Sequence, residues 1–247
     1  MRALIVLPTF QEAENIAVVL PRIRAAAPDA DVLVVDDDSP DGTADLAEES
    51  AADLGAIKVL RRAAKDGLGR AYLAGFGQAV AGDYDVVVAM DADLSHDPAV
   101  IPGLVAAVES GADLAIGSRY IAGGAIPRWP LHRRALSRWG NRYATAVLGL
   151  PVHDATSGFR CYRTGMLRRI DLETVRSTGY GFQIELVRRI AARGGRLAEV
   201  PIVFVDRERG TSKMSSRIVV EAMVFVTSWA VRERMRGLGR RLRHRLH

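Results

Sequence analysis

Two carboxylates one residue apart, Asp91 and Asp93, follow the apolar run Val86–Met90. In extended chain, residues two apart point to the same side, so both acids can face one cation. A hard divalent ion takes oxygen ligands and can bridge protein carboxylates to substrate phosphates. Held there, it would neutralise charge developing on a departing diphosphate. The tripeptide alone is weak evidence, and the chain carries its own controls. Asp29-Ala30-Asp31 repeats it, and Asp83-Tyr84-Asp85 matches its pattern. Both precede apolar runs, whereas 91–93 follows one, so the controls read as turn and surface residues.

A second acidic stretch, DDDSPDGT at 36–43, can bind a ligand and start a helix at once. Asp41 or Ser39 suits a helix cap. Asp37 lies nearer the preceding apolar run and suits contact with a base or ribose. Cations gather later in the chain, at Arg119, Arg128, Arg133 and Arg134, then at Arg207, Arg209 and Lys213. A guanidinium grips phosphate with paired donors, and an ammonium adds a compact charge. Each of these residues alone reads as surface. Two basic, glycine-bearing loops set against an acidic rim read as countercharge for phosphorylated ligands. His96 and Asp154 are candidate bases, although His96 equally suits a supporting hydrogen bond and Asp154 a loop cap. Gln183 and Glu185, at a helix start, are candidates for contact with sugar hydroxyls.

The elements that must position these side chains alternate in type. Short apolar runs at 3–7, 32–35, 57–60, 86–90 and 114–116 read as strands. Helical patterns over 12–27, 41–54, 67–80 and 97–108 separate them, the last with Pro98 in its first turn, where a missing N–H matters little. This alternation predicts an α/β domain, a mainly parallel sheet with helices on both faces. Ligands of such sheets bind outside the carboxyl ends of the strands. Residues 8–12, 36–38 and 91–93 then share one rim, and both control tripeptides fall at the opposite one. Beyond Gly117 the rhythm changes: a loop over 120–135, a helix over 134–148, a loop through Pro151 and Gly158, a helix over 183–193, an extended segment over 197–205 and a loop over 206–212.

The 247 residues suffice for one such domain with a tail, and 49% hydrophobic residues can fill its core. Of the net charge of +5, residues 231–247 supply +6 from seven Arg and one Glu, leaving about −1 for the rest. A basic tail on a near-neutral body suggests an anionic lipid surface ahead of nucleic acid, or a solvated tail. The apolar stretch 218–231 contains Glu221 and falls short of the roughly 20 residues that span a bilayer. Its Ile218, Val219, Met223, Val226 and Val231 recur at helical spacing. They suit a helix lying in the membrane interface, or one packed on the domain. The five-residue apolar run near Met1 is too short for a signal peptide, so a cytoplasmic setting is expected. Cys161 is the only cysteine, which excludes an intrachain disulfide and reads as a packed thiol.

Taken together, PTFQEAENI (8–16), VVDDDSPDGT (34–43), KDGLGRAYLAGF (65–76), MDADLSHDP (90–98), IGSRY (116–120), TSGFRCY (156–162) and RERGTSKMS (207–215) resemble family 2 glycosyltransferases of the GT-A, Rossmann-like fold. More narrowly, they resemble dolichol- or polyprenol-phosphate mannose synthases. The resemblance implies a catalytic domain over 1–215, followed by an amphipathic helix and Arg-rich tail over 216–247. It implies an enzyme that moves mannose with inversion from GDP-mannose to a polyprenyl phosphate, using Mg²⁺ or Mn²⁺, peripherally at the cytoplasmic face of a membrane. By motif, Pro8, Phe10, Glu12, Val35 and Asp37 would line the nucleotide site, with Ala92 beside the donor. Asp91 and Asp93 would hold the metal. Arg119 and Arg133 would grip the acceptor phosphate, making Asp93, Arg119 and Arg133 the residues closest to catalysis. Arg207 and Lys213 would contact the donor phosphates. Phe10 stands where tyrosine is common, keeping a stacking face without a hydroxyl. Ser95 stands at a metal-ligand position where glutamine is common, so that a water completes the shell.

A lipid phosphate is already anionic near neutral pH and can attack without a strong base, leaving alignment and charge screening as the protein's work. Another donor such as UDP-glucose, or another acceptor, fits the same motifs. A noncatalytic nucleotide-sugar sensor is disfavoured by the intact acidic motif and basic loops. A nucleic-acid binder is disfavoured by the lack of interleaved aromatics or a nucleic-acid module.

Overall fold

The computed structural model describes residues 1–177, 179–206 and 226–229. Its strands are β1 (Ala3–Thr9), β2 (Asp31–Asp36), β3 (Ile57–Arg61), β4 (Val86–Ala89), β5 (Leu114–Ser118), β6 (Arg160–Arg163) and β7 (Leu197–Pro201). Its α-helices are α1 (Ala13–Ala26), α2 (Thr43–Leu54), α3 (Leu68–Ala81), α4 (Ile101–Glu109), α5 (Leu131–Leu148), α6 (Thr164–Arg169) and α7 (Gly179–Ala192). The strands form one sheet in the order β3-β2-β1-β4-β6-β5-β7. All neighbours are parallel except β6, which runs antiparallel to β4 and to β5.

The apolar runs make buried strands because both faces of the sheet are covered. Alternate residues sort into two cores, as the two-residue side-chain period requires. Leu4, Val6, Val35, Val87 and Ile116 face one layer with Tyr72 and Phe76 of α3 and Phe182 and Leu186 of α7. Ile5, Leu7, Val34, Val88 and Cys161 face the other with Ile16 and Leu20 of α1 and Leu104 of α4. Burial pushes the Cys161 thiol up, so it stays an inert packing group.

The predicted strands and first three helices match within about two residues. The helix expected over 97–108 divides into a 3-10 turn at Pro98–Val100, capped by Asp97, and α4. Strand β6 and helix α6 were not anticipated. The four residues of β6 begin and end in arginine, which masks a strand pattern, and Arg160 is wholly buried all the same. Helix α5 begins directly after Pro130, three residues before the expected start. Of the apolar stretch 218–231, Val226 is buried in the core beside α7, and Trp229 packs against the same cluster under Arg188. The described part of that segment therefore packs on the domain. No helix among the described residues is long and apolar enough to cross a membrane.

Helix α3 lies unusually close to the sheet, and one glycine permits it. A Cβ added at Gly75 would meet Val6 Cγ1 at 2.3 Å. Gly75→Ala should therefore force α3 away from β1 and destabilise the protein by about 1–3 kcal/mol. Denaturant unfolding checks this, and an unchanged midpoint would show that the layer relaxes freely.

Candidate active site

Strand order reverses between β1 and β4: β2 and β3 lie to one side of β1, while the remaining strands lie to the other. Loops leaving the carboxyl ends of these two strands diverge and open a crevice. Pro8, Thr9, Phe10, Glu12, Asp37, Lys65, Leu68, Ala71, Asp91, Ala92 and Asp93 line it. The two control tripeptides sit at the opposite rim. There Asp31 accepts hydrogen bonds from Arg2 (3.1 Å) and Tyr84 (2.8 Å), and Asp85 accepts the Arg2 amide (2.7 Å). Their carboxylates fasten the starts of strands.

Asp91 and Asp93 reach the crevice by a different route from the extended one expected. Strand β4 ends at Ala89, and residues 92–94 bend, with Leu94 at φ 63°. Asp93, 4% exposed, accepts the Ser95 amide (3.1 Å) and the Ser95 hydroxyl (2.5 Å) on Oδ1. Ser95 is thus turned onto Asp93 and does not line the crevice, which departs from its expected place as a ligand. A bend of this kind needs the carboxylate to hold its own turn, and the short serine side chain reaches no farther.

Asp91 is held at both ends. Its amide donates to His96 Nδ1 (3.2 Å), and its Oδ1 accepts the Tyr72 hydroxyl (2.8 Å). Burial holds the His96 imidazole below its ordinary pKa, against the pull of Asp91 and Asp93. A neutral ring accepting at Nδ1 carries its proton on Nε2. That is the supporting hydrogen bond anticipated for His96. Burial, reinforced by the Asp91 charge, raises the Tyr72 phenol well above its usual range, so it remains a donor. Gly158 faces this acid, and a Cβ there would lie 3.5 Å from Asp91 Oδ2.

The acidic turn after β2 divides its work. Asp36 anchors the loop by accepting Thr9 Oγ1 (2.8 Å), the Ser39 amide (2.8 Å) and Ser39 Oγ (2.6 Å). Asp41 accepts the Thr43 amide (3.1 Å) and hydroxyl (2.6 Å) at the start of α2, and the Ala13 amide (3.1 Å) at the start of α1. Partial burial raises its pKa, yet these hydrogen bonds outweigh that and hold it below the ordinary value. Asp37 forms the crevice wall, paired with Arg62. Opposite it, the Lys65 ammonium sits 3.6 Å above the Phe10 ring. Val35, expected at the nucleotide, is fully buried in the core beneath α3 and does not line the crevice. Strand alternation turns its side chain inward while Asp37 escapes at the strand end.

The arginines occupy the neighbouring side of the rim, Arg119 directly after β5 and Arg133 in the first turn of α5. Because β6 is antiparallel, its amino-terminal end lies where its parallel neighbours end, and loop 153–159 reaches the same rim. Arg119 donates to Asp154 through Nε (2.7 Å), Nη2 (2.8 Å) and its amide (3.1 Å), and to Thr156 (2.8 Å). Burial would raise the Asp154 pKa, but the Arg119 charge and its donated hydrogen bonds hold it below the usual range. A carboxylate so engaged is an orienting group and a poor base. Arg133 lies over the Trp129 ring at 3.9 Å and pairs with Asp206 at 3.0 Å. Phe204 joins the halves, with its ring 5.7 Å from His96, 5.8 Å from Trp129 and 5.5 Å from the Arg119 guanidinium. Neither arginine lines the crevice itself. Arg207 and Lys213 lie outside the described residues. Glu185 is engaged with Ser177 and Arg189, and the buried Gln183 side chain meets the Tyr162 hydroxyl at 3.5 Å, so both face the domain interior.

Sequence reasoning missed Tyr72, Phe204, Trp129 and Arg160. Each lies inside or beside a motif singled out above, but nothing in its own spacing marks it. The arrangement as a whole sets two carboxylates and a crevice beside two oriented guanidiniums.

Known proteins resemble this chain closely. The undecaprenyl-phosphate mannosyltransferase of Micrococcus luteus is 50% identical over 242 residues, 98% of this chain and 99% of that one. The polyprenol monophosphomannose synthase of Mycolicibacterium smegmatis is 47% identical, over 95% of this chain and 89% of its own. The dolichol-phosphate mannosyltransferase of Pyrococcus furiosus is 36% identical over 90% of this chain, which spans 61% of its length. Among solved structures, glucosyl-3-phosphoglycerate synthase of Mycobacterium tuberculosis, in complex with Mn²⁺, UDP and glucosyl-3-phosphoglycerate, superposes with a TM-score of 0.68 at 20% identity, over 92% of this chain and 79% of that one. A mannosyltransferase of Pyrobaculum calidifontis, in complex with GDP-Man and Mn²⁺, gives 0.64 at 19% identity, over 94% and 64%. These two establish likeness of fold. With residues 4–171 matching the Glycosyl transferase family 2 model and a relative half identical over nearly all of both chains, this chain belongs to glycosyl transferase family 2.

Proposed function

We propose that this glycosyltransferase moves mannose from GDP-mannose to the phosphate of a polyprenyl, dolichyl-type lipid, with inversion at the sugar's anomeric carbon. The observation that carries the reading is 50% identity over nearly all of both chains to a mannosyltransferase named for undecaprenyl phosphate. The geometry supplies a matching chemistry.

A divalent cation fits the residues present. Asp91 and Asp93 offer hard oxygen donors to one crevice, and no group of three or more His, Cys, Asp or Glu among the described residues could hold a metal alone. Two carboxylates with diphosphate and water oxygens is the set Mg²⁺ accepts, and Mn²⁺ shares that preference for carboxylate and water. Mn²⁺ in the two structural neighbours supports a divalent ion, and either Mg²⁺ or Mn²⁺ satisfies these donors. Bound there, the ion supplies stabilisation of charge on the leaving diphosphate. Ser95 keeps Asp93 turned toward the crevice. Phe10, Glu12 and Asp37 bind the nucleoside, and Ala92 bounds the donor between the two acids.

Arg119 and Arg133 hold the acceptor phosphate. An oxygen of that phosphate forms the new bond to the anomeric carbon as the bond to the diphosphate breaks, and no proton need be removed from the nucleophile. Asp154 keeps the Arg119 guanidinium in one orientation, so its charge faces the phosphate without reorganisation. Arg133 exchanges Asp206 for the phosphate. Arg207 and Lys213 complete the countercharge for the donor. The lipid acceptor places the protein at a membrane surface, with the Arg-rich segment 232–245 attracted to anionic lipid on the cytoplasmic side.

Radiolabelled GDP-mannose should transfer label to polyprenyl phosphate, and UDP-glucose should not; label entering lipid only from UDP-glucose would overturn the donor. Asp93→Asn keeps the Oδ1 acceptor of the turn but removes the charge, and should lower kcat/KM by at least about 10²–10³-fold while leaving the thermal midpoint near that of the wild type. Wild-type turnover by this variant in excess chelator would remove the metal from the reaction. Arg119→Lys loses the fork but keeps the charge, and should raise KM for the lipid phosphate by about 10–100-fold. An effect confined to KM for GDP-mannose would reassign Arg119 to the donor.

A further inference from the structure

The hydroxyl that touches Asp91 comes from a residue with no assigned part in the reaction. Tyr72 is fully buried on α3, its ring parallel to Phe182 of α7 (6.1 Å, 7°) and tilted against Phe76 (5.9 Å, 33°). Gly69 lets these helices approach, since a Cβ there would lie 3.1 Å from the Phe182 ring. The ring therefore has no room to turn, and its hydroxyl has one direction, toward Asp91 Oδ1 at 2.8 Å. The Asp91 amide is fastened to His96, so the remaining freedom of this residue is rotation of its carboxylate. The Tyr72 bond removes that rotation.

We infer that Tyr72 is a positioning residue for metal binding: by holding Asp91 Oδ1 it keeps the carboxylate in the orientation that captures the divalent cation. This rests on the reading of Asp91 as a metal ligand. Partners that orient ligating carboxylates contribute to metal affinity, typically 10–100-fold when removed. A merely structural hydroxyl would act on stability alone. Tyr162 offers the comparison. It is equally buried, packs on Phe76 at 5.1 Å, and its hydroxyl meets Arg160 and Gln183 at 3.5 Å, away from Asp91.

The test is Mn²⁺ titration of the full chain with saturating GDP, following free Mn²⁺ by electron paramagnetic resonance. Tyr72→Phe should weaken Mn²⁺ binding about 10–100-fold. Its thermal midpoint without metal should shift by no more than about 2–4 °C. Tyr162→Phe should bind Mn²⁺ as the wild type does. Wild-type affinity in Tyr72→Phe, equal weakening in both variants, or a Tyr72→Phe protein that fails to fold would each overturn the inference. Absence of Mn²⁺ binding by the wild-type protein would instead overturn the metal-site reading, and the inference with it.

Discussion

Two negative charges separated by a single residue must be held side by side at the end of a strand, and much of the surrounding structure answers to that constraint. Like charges at short range repel, and each also demands hydrogen-bond donors. The chain meets the demand with the hydroxyl of a serine two residues beyond Asp93 and a phenol from α3 on Asp91, while the His96 imidazole accepts the Asp91 amide behind them. None of these is a cation. The two hydroxyls set the orientation of the acids without adding charge of their own. Asp37, another acid of the crevice, is paired with Arg62.

The second half of the site depends on one reversed strand. Had β6 run parallel to its neighbours, the loop carrying Asp154, Thr156 and Gly158 would have emerged at the opposite rim. Running antiparallel, it meets the carboxyl ends of β4 and β5. Arg119, leaving β5, then finds Asp154 beside it, and the two bury together with three donated bonds. Breaking so buried a pair by removing one partner is expensive, which keeps the guanidinium fixed whether or not a phosphate is present.

Much of this was legible in the residues. The alternation of apolar runs gave the parallel core, and placing each acid before or after a run separated Asp91 and Asp93 from the two look-alike tripeptides. Strand direction alone separates them, and the pattern preserves strand direction. Packing is not preserved in the pattern. Val35 reads as adjacent to the acidic turn but alternates into the core. The strand at Arg160–Arg163 hides behind charged ends, because burial of an arginine depends on carbonyls that only the folded loop supplies. Tyr72 sits in a helix amid small and apolar residues and looks like core, which it also is; its second part depends on where α3 meets the end of β4. Ser95 was read by position against a family pattern, and the bend at Leu94 gives it a different neighbour.

Arg160 has a mechanical consequence. Its side chain is wholly buried and gives its donors to the carbonyls of Ala155 and Ser157 in the rim loop and of Gln183 in α7. Pulling the loop from that helix would strand a full positive charge in a dry interior without acceptors. Loop and helix are therefore riveted into one body. Any movement of this rim must carry the loop and the helix together.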